Sequence, residues 1–181
     1  MAIDPASLRP PTALPFRTER LTIRPLSMGD AEAMHAVYSD PDVTRFIPGG
    51  VRDEAGTRQR VGDLIAHHDR HGVSKWAVTL SDSGVLVGDC GLQFLPGRPE
   101  LELGFHFARA QWGYGYATEA AAACLAWALT NRTERILAIV DPEHLISQRI
   151  LTKLGMRPIG RDHILDHTWV VYEAARKSLD A

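Results

Sequence analysis

The chain has little of what metal centres, disulfide frameworks and membrane anchors are made from. It contains two cysteines, Cys90 and Cys124. There is no Cys-x-x-Cys pair, so neither a structural zinc site nor a dithiol redox motif is spelled out. Cys90 falls in a predicted strand and Cys124 in an alanine-rich helix, where each reads as a small buried hydrophobe. No apolar run approaches the roughly 18 residues of a membrane span. The N-terminal stretch carries Asp4 and several prolines rather than an apolar core, so no signal peptide is expected. Charge of one sign is lacking too: 20 Lys and Arg stand against 22 Asp and Glu, a formal net charge of −2. Without a basic run there is no electrostatic footprint for nucleic acid or a membrane surface. His67, His68 and His71 lie close together, but no Glu stands where His-Glu-x-x-His zinc chemistry needs one. They are expected to form a solvated helix face. The expectation is a soluble, cytoplasmic protein without a metal.

What is present is the make-up of one ordinary globular domain: 181 residues, 45% of them hydrophobic, enough to bury a core unaided. Pro5, Pro10, Pro11 and Pro15 predict a loose lead-in over 1–16, followed by a single domain over 17–176 and a short tail over 177–181. Leu21, Ile23 and Leu26 suggest a strand that Pro25 ends. A helix is predicted from about Gly29 to Tyr38, stopped by Asp40-Pro41. A second helix runs from about Asp53 to His71, closed by Gly72. Trp76–Leu80 and Val85–Leu95 form a hairpin across a Ser-Asp-Ser-Gly turn. In the next strand Leu101, Leu103, Phe105 and Phe107 face one way, and Glu102, Gly104 and His106 the other. A helix over Thr118–Leu129, a buried strand over Arg135–Val140, a helix over His144–Leu154 and two short strands, 157–161 and 168–172, complete a mixed α/β sheet flanked by helices.

The most informative stretch runs from Phe107 to Ala121. A strand ends, a Gly-x-Gly loop follows, and a helix rich in small residues begins. Glycines let backbone N–H groups approach a ligand closely. The first turn of a helix offers unpaired N–H groups and a partial positive charge, an anion site suited to a pyrophosphate. A glycine-rich turn without any ligand would read the same way. A P-loop is excluded because no Lys follows these glycines. A dinucleotide fingerprint is disfavoured because Thr118 stands where its third glycine belongs.

Gln111-Trp112-Gly113-Tyr114-Gly115-Tyr116-Ala117-Thr118-Glu119-Ala120 resembles the acetyl-CoA loop of the GNAT acetyltransferases, and most of all the branch that acetylates ribosomal-protein N-termini. The resemblance extends to Arg17–Leu26, similar to that branch's opening strand, to Asp40-Pro41-Asp42-Val43, to Leu101–Phe105, and to His144–Met156. It implies a mixed, mostly antiparallel sheet, splayed at the cofactor site. It also implies acetyl-CoA as co-substrate and a primary amine, a protein N-terminus or a small molecule, as acceptor. His144 stands where the family has Asn against the pantetheine arm; a His can still donate one hydrogen bond. Thr152 and Met156 replace Glu and Phe. The cofactor residues so implied are Phe107, Trp112, Gly113, Tyr114, Gly115, Tyr116, Ala117, His144, Ser147 and Lys153. The rings of Tyr114 and Tyr116 are expected outside the cradle. A non-catalytic acyl-CoA sensor on the same fold is the alternative. The chain is expected to be a monomer or homodimer.

Amine acetylation needs a neutral amine, a polarised thioester carbonyl and a proton for the leaving thiolate. The resemblance places the carbonyl's backbone donor near Phe107 and puts Ser147 beside the sulfur. Ser147 could equally be a helix-face serine bonded to a local carbonyl. Glu102 could accept the amine's proton directly or through water, or could be a strand glutamate paired with an arginine. His35 and His106 read as packing or strand residues. Arg109, Arg132, Arg149 and Lys153 are basic positions that could meet the coenzyme phosphates. Trp76, Trp127 and Trp169 read as packing residues, and Trp112 borders the loop.

Overall fold

The computed structural model describes residues 13–95, 97–164 and 166–176. Most of the expected lead-in, and the tail over 177–181, lie outside the described residues. The sheet starts at β1 (Phe16–Arg17), where Phe16 pairs with Ile23 of β2 (Leu21–Arg24). Phe16 is buried, and Leu14 packs against the same core. Pro25 ends β2 as predicted.

A short 3-10 turn at Met28–Asp30 precedes α1 (Ala31–Tyr38). The Asp30 carboxylate holds this entry together. It accepts from Ser27 N (2.8 Å), from Ser27 Oγ (2.9 Å) and from both ends of the Arg24 guanidinium. Asp40-Pro41 does stop α1, but it also starts α2 (Pro41–Thr44). Asp40 caps Asp42 N at 2.8 Å and Pro41 fills the first helical position, where its missing N–H costs nothing. This short helix was not expected, and it walls the cleft described below. α3 (Glu54–His71) is capped by Asp53 on Gly56 N and closed by left-handed Gly72.

Three antiparallel strands follow: β3 (Lys75–Leu80), β4 (Leu86–Phe94) and β5 (Leu101–Phe107). α4 (Tyr116–Asn131) then crosses over to β6 (Arg135–Val140), which lies parallel to β5. α5 (Leu145–Lys153), β7 (Arg157–Ile164) and β8 (His167–Ala175) complete the chain, both strands running longer than predicted. The sheet order is β1-β2-β3-β4-β5-β6-β8-β7, antiparallel except at β5–β6.

Side-chain alternation assigns the two faces. Trp76, Val78, Leu103 and Phe107 join Ala120, Ala121, Cys124 and Ala128 of α4 in one core, to which Leu151 and Leu154 bring α5. The alanines let α4 sit close on the sheet. Met34, Val37, Val61 and Leu64 pack α1 and α3 against Ala77 on the opposite face. Trp76, Trp127 and Trp169 are buried, as are Cys90 and Cys124. His67, His68 and His71 correct the expectation of a solvated face. His67 Nδ1 lies 2.7 Å from Val73 O, His68 Nδ1 takes the Trp76 indole N–H at 3.2 Å, and His71 packs edge-on to Phe94. The tight α3–β3 turn folds them back onto the domain. Among the described residues no helix is long and apolar enough to cross a membrane.

Candidate active site

The site forms where β5 and β6 part. Among the described residues they share one registered pair, Glu102 with Leu137. Ala108 N donates to Val87 O across β4 (2.9 Å), and Gly88 stands opposite Phe107. Antiparallel bonding alternates along a strand, so the peptide groups of Phe105 and Phe107 point away from β4. They face the gap that opens beyond Glu102. The Phe107 carbonyl is taken by the Trp112 indole N–H at 2.8 Å. This bond folds the glycine loop back over the end of β5 and leaves the Phe107 N–H directed at the gap.

A cleft of about 740 Å³ occupies the opening. Its loop end is built from Trp112, Gly113, Gly115, Tyr116 and Ala117. Gly113 and Gly115 both have φ of 84°, which side-chain-bearing residues avoid. Gly115 is the cap of α4, which starts at Tyr116, two residues ahead of the predicted Thr118. Bonding in α4 begins when Glu119 N donates to Gly115 O. The N–H groups of the first turn are therefore left for a ligand. Tyr114 is exposed, does not line the cleft, and stacks on Tyr116 with centroids 5.6 Å apart.

The loop is braced by residues whose part was not foreseen. Glu119, in the first turn of α4, accepts from Thr18 Oγ1 (2.6 Å), Arg20 N (2.9 Å) and Arg20 Nε (2.7 Å). Arg20 also donates to Tyr114 O at 2.9 Å and lies over the Tyr116 ring. The sequence signal was available, in Arg20 beside Glu19 and Glu119 inside the loop motif, but a contact across 99 residues has no local signature.

His144, Ser147 and Lys153 line the cleft along α5. His144 stacks on Phe46 at 4.5 Å, and its Nε2 lies 3.4 Å from Ser147 Oγ. Burial pushes the His144 imidazole below its usual pKa. Among the other basic candidates, Arg109 pairs with Asp42 of α2. Arg149 is not among the lining residues. Arg132 lies at the far end of α4, bonded to His71 O, so it is removed from the loop by the length of the helix.

The cleft floor carries the polar row of β5: Glu102, Gly104 and His106. Burial raises the Glu102 carboxyl above its usual range, against the opposing charges of Lys75 and Arg60 and a hydrogen bond from the Ile139 backbone. Of the two sequence readings, an arginine-paired strand glutamate is not what is found: among the described residues no ion pair to Glu102 is formed, and the Arg60 guanidinium bonds Gln93 Oε1 (2.7 Å). Lys75 is buried, and its Nζ passes so close to Gly104 that a β-carbon there would sit 2.5 Å away. His106 is no plain packing residue. Its Nδ1 lies 2.8 Å from Oδ1 of fully buried Asp89, which also receives the Tyr38 hydroxyl. His35 is a packing residue as expected, with Nδ1 3.2 Å from Thr57 Oγ1.

The arrangement joins an open helix end, a strand N–H that faces the gap and a polar floor in one cleft. Comparison with known proteins gives the same picture. Residues 20–157 match the acetyltransferase (GNAT) domain family. The chain is 33% identical over 143 residues to the uncharacterized protein YkkB of Bacillus subtilis (strain 168), covering 77% of this chain and 83% of that one. It is 32% identical over 144 residues to the uncharacterized N-acetyltransferase YnaD of the same organism, covering 79% and 82%. A crystal structure of a GNAT-family acetyltransferase from Bacillus anthracis superposes with a TM-score of 0.77 at 31% identity, over 89% of this chain and 98% of that one. The chain belongs to the GNAT family and is an acetyl-CoA-dependent N-acetyltransferase.

Proposed function

We propose that this enzyme acetylates a primary amine, either a protein N-terminal amine or the amine of a small molecule, in the cleft between β5 and β6. The observation that carries this reading is the continuity of the glycine loop with the polar floor of β5 in one cavity. The residues fit coenzyme A. The left-handed turns at Gly113 and Gly115 and the open first turn of α4 suit its pyrophosphate. Trp112, Tyr116 and Ala117 complete the cradle, and Tyr114 contributes backbone only. Lys153 offers a cation at the rim, and His144 and Ser147 lie along the arm's path to the splay.

When bound, acetyl-CoA supplies an acetyl group activated as a thioester. The Phe107 N–H is the donor for its carbonyl oxygen, in the manner of an oxyanion site. The Ser147 hydroxyl is placed to hydrogen-bond the leaving sulfur. The acceptor nitrogen must shed a proton, and the floor offers two groups for it, Glu102 and His106. An α-amine has a pKa of about 8 against about 10.4 for lysine, so an N-terminal amine needs the least help. The acceptor enters past α2 and the segment after it, where Phe46 and Ile47 line the wall. The test is acetyl-CoA turnover with N-terminal peptides and small amines, read as product mass. An acetylated amine supports the reading, and coenzyme release without an acetylated amine refutes it.

A further inference from the structure

Tyr38, Asp89 and His106 come from α1, β4 and β5 and meet beneath the cleft floor. The Tyr38 hydroxyl donates to Asp89 Oδ2, and His106 Nδ1 lies 2.8 Å from Asp89 Oδ1. Asp89 is fully buried, whereas the His106 side chain keeps 15% of its surface open and lines the cleft. With Nδ1 committed to the carboxylate, Nε2 is the nitrogen left for the cleft. Burying a carboxylate, an imidazole and a phenol together is expensive unless their bonds are satisfied. Here the carboxylate is satisfied by both partners, and Nε2 remains on an imidazole that lines the cleft. A purely structural cluster would not need that opening.

We propose that His106 is the general base that takes the proton of the acceptor amine, with Asp89 and Tyr38 as positioning residues that fix its tautomer. This rests on the amine-acetylation reading above. Strand geometry separates His106 from Glu102. His106 adjoins Phe107, whose N–H faces the gap. Glu102 stands five residues back, about 16 Å along an extended strand, and its carboxylate accepts from the Ile139 backbone where the two strands join. A glutamate side chain does not bridge that distance.

In the step itself the acceptor N–H proton passes to His106 Nε2. The nitrogen lone pair forms the bond to the acetyl carbon. The carbon–sulfur bond breaks with its electron pair on sulfur, and the thiolate takes up a proton from solvent. His106 then returns its own proton to solvent.

The charges around His106 support this role. Burial lowers its pKa, Asp89 on β4 opposes, and Lys75 on β3 and Arg60 on α3 lower it further. Glu102 on β5 and His144 ahead of α5 complete the titratable surroundings. Asp89 is held below the usual carboxylate range although its burial pushes upward, because His106, Lys75 and the Tyr38 hydroxyl outweigh it. At neutral pH the imidazole is therefore neutral beside an ionised carboxylate, the state a base requires.

The experiment is the pH dependence of kcat at saturating amine, which reports groups titrating in the bound complex rather than in the free amine, for the whole enzyme with the best amine of a panel, in wild type and three variants. The wild type should show an acidic limb. His106→Gln should abolish that limb and lower kcat by about 10²–10⁴, with the acetyl-CoA thermal shift retained. Asp89→Asn removes a charge that favours the imidazolium and should move the limb to lower pH. Tyr38→Phe leaves Asp89 with one donor fewer, strengthens its pull on the His106 proton, and should move the limb to higher pH. An unaltered limb in His106→Gln overturns the proposal. So do limbs that stay in place in the other two variants, should His106→Gln fail to fold. Absence of amine turnover by the wild type overturns the acetylation reading instead.

Discussion

Replacing Glu119 by alanine removes the strut that ties the glycine loop to the β1–β2 turn. Its carboxylate accepts from the Thr18 hydroxyl, the Arg20 N–H and the Arg20 guanidinium at 2.6–2.9 Å. Its side chain is only 14% exposed, but that of Arg20 is 43% exposed. The ion pair is therefore screened and contributes about 0.5 kcal/mol. The two other bonds contribute about 1 kcal/mol each. The charge at the N-terminus of α4 adds about 0.5 kcal/mol. The released donors recover part of this from water, leaving a loss of about 2 kcal/mol. For a domain of this size that lowers Tm by about 4–8 °C. Loss of the strut also frees Arg20 from the Tyr114 carbonyl, so the loop should lose its fixed shape. Thermal melts and steady-state kinetics check both effects. KM for acetyl-CoA should rise severalfold while KM for the amine stays unchanged. A variant that melts within about 1 °C of wild type, with unchanged KM for acetyl-CoA, refutes the reasoning.

Trp112→Phe keeps an aromatic ring but leaves the Phe107 carbonyl without its donor. It should cost about 1 kcal/mol in a denaturant titration and raise KM for acetyl-CoA. Gly115→Ala places a side chain at φ 84°, at a cost of about 1–2 kcal/mol; the coenzyme-induced thermal shift should shrink. Ser147→Ala should lower kcat more than it weakens coenzyme binding, and unchanged turnover with the best amine would remove Ser147 from the chemistry. The Glu102 carboxyl is raised by burial above the ordinary 4.5, so its ionisation costs stability as pH rises from 4.5 through the folded value. Glu102→Gln should thus melt higher than wild type at about pH 8, and this advantage should vanish below the unfolded carboxyl pKa of about 4.3–4.5.

The elements were legible where periodicity and capping are local. The α3 boundaries follow from Asp53 and Gly72, and the β5 faces from strict alternation over Leu101–Phe107. The loop of Trp112–Ala117 read by itself as either an anion site or a bare glycine turn, and its flanking segments supplied the resemblance. The short helix α2 was hidden because Asp-Pro signals both the end of one helix and the start of another. The partners of His106 were hidden for a different reason. A strand histidine is ordinary until Asp89 and Tyr38 are brought under it, and those partners lie 17 and 68 residues away. Arg132 read as a basic position that could meet the coenzyme phosphates, yet α4 carries it to the end opposite the loop. Long-range pairing, not local propensity, decides the surroundings of His106.

The measurement that tests the central claim most directly is turnover of acetyl-CoA with a panel of N-terminal peptides and small amines, read by product mass. The account predicts at least one amine gaining a single acetyl group, with one free coenzyme thiol released per product. Coenzyme binding without any acetylated amine across the panel would contradict it.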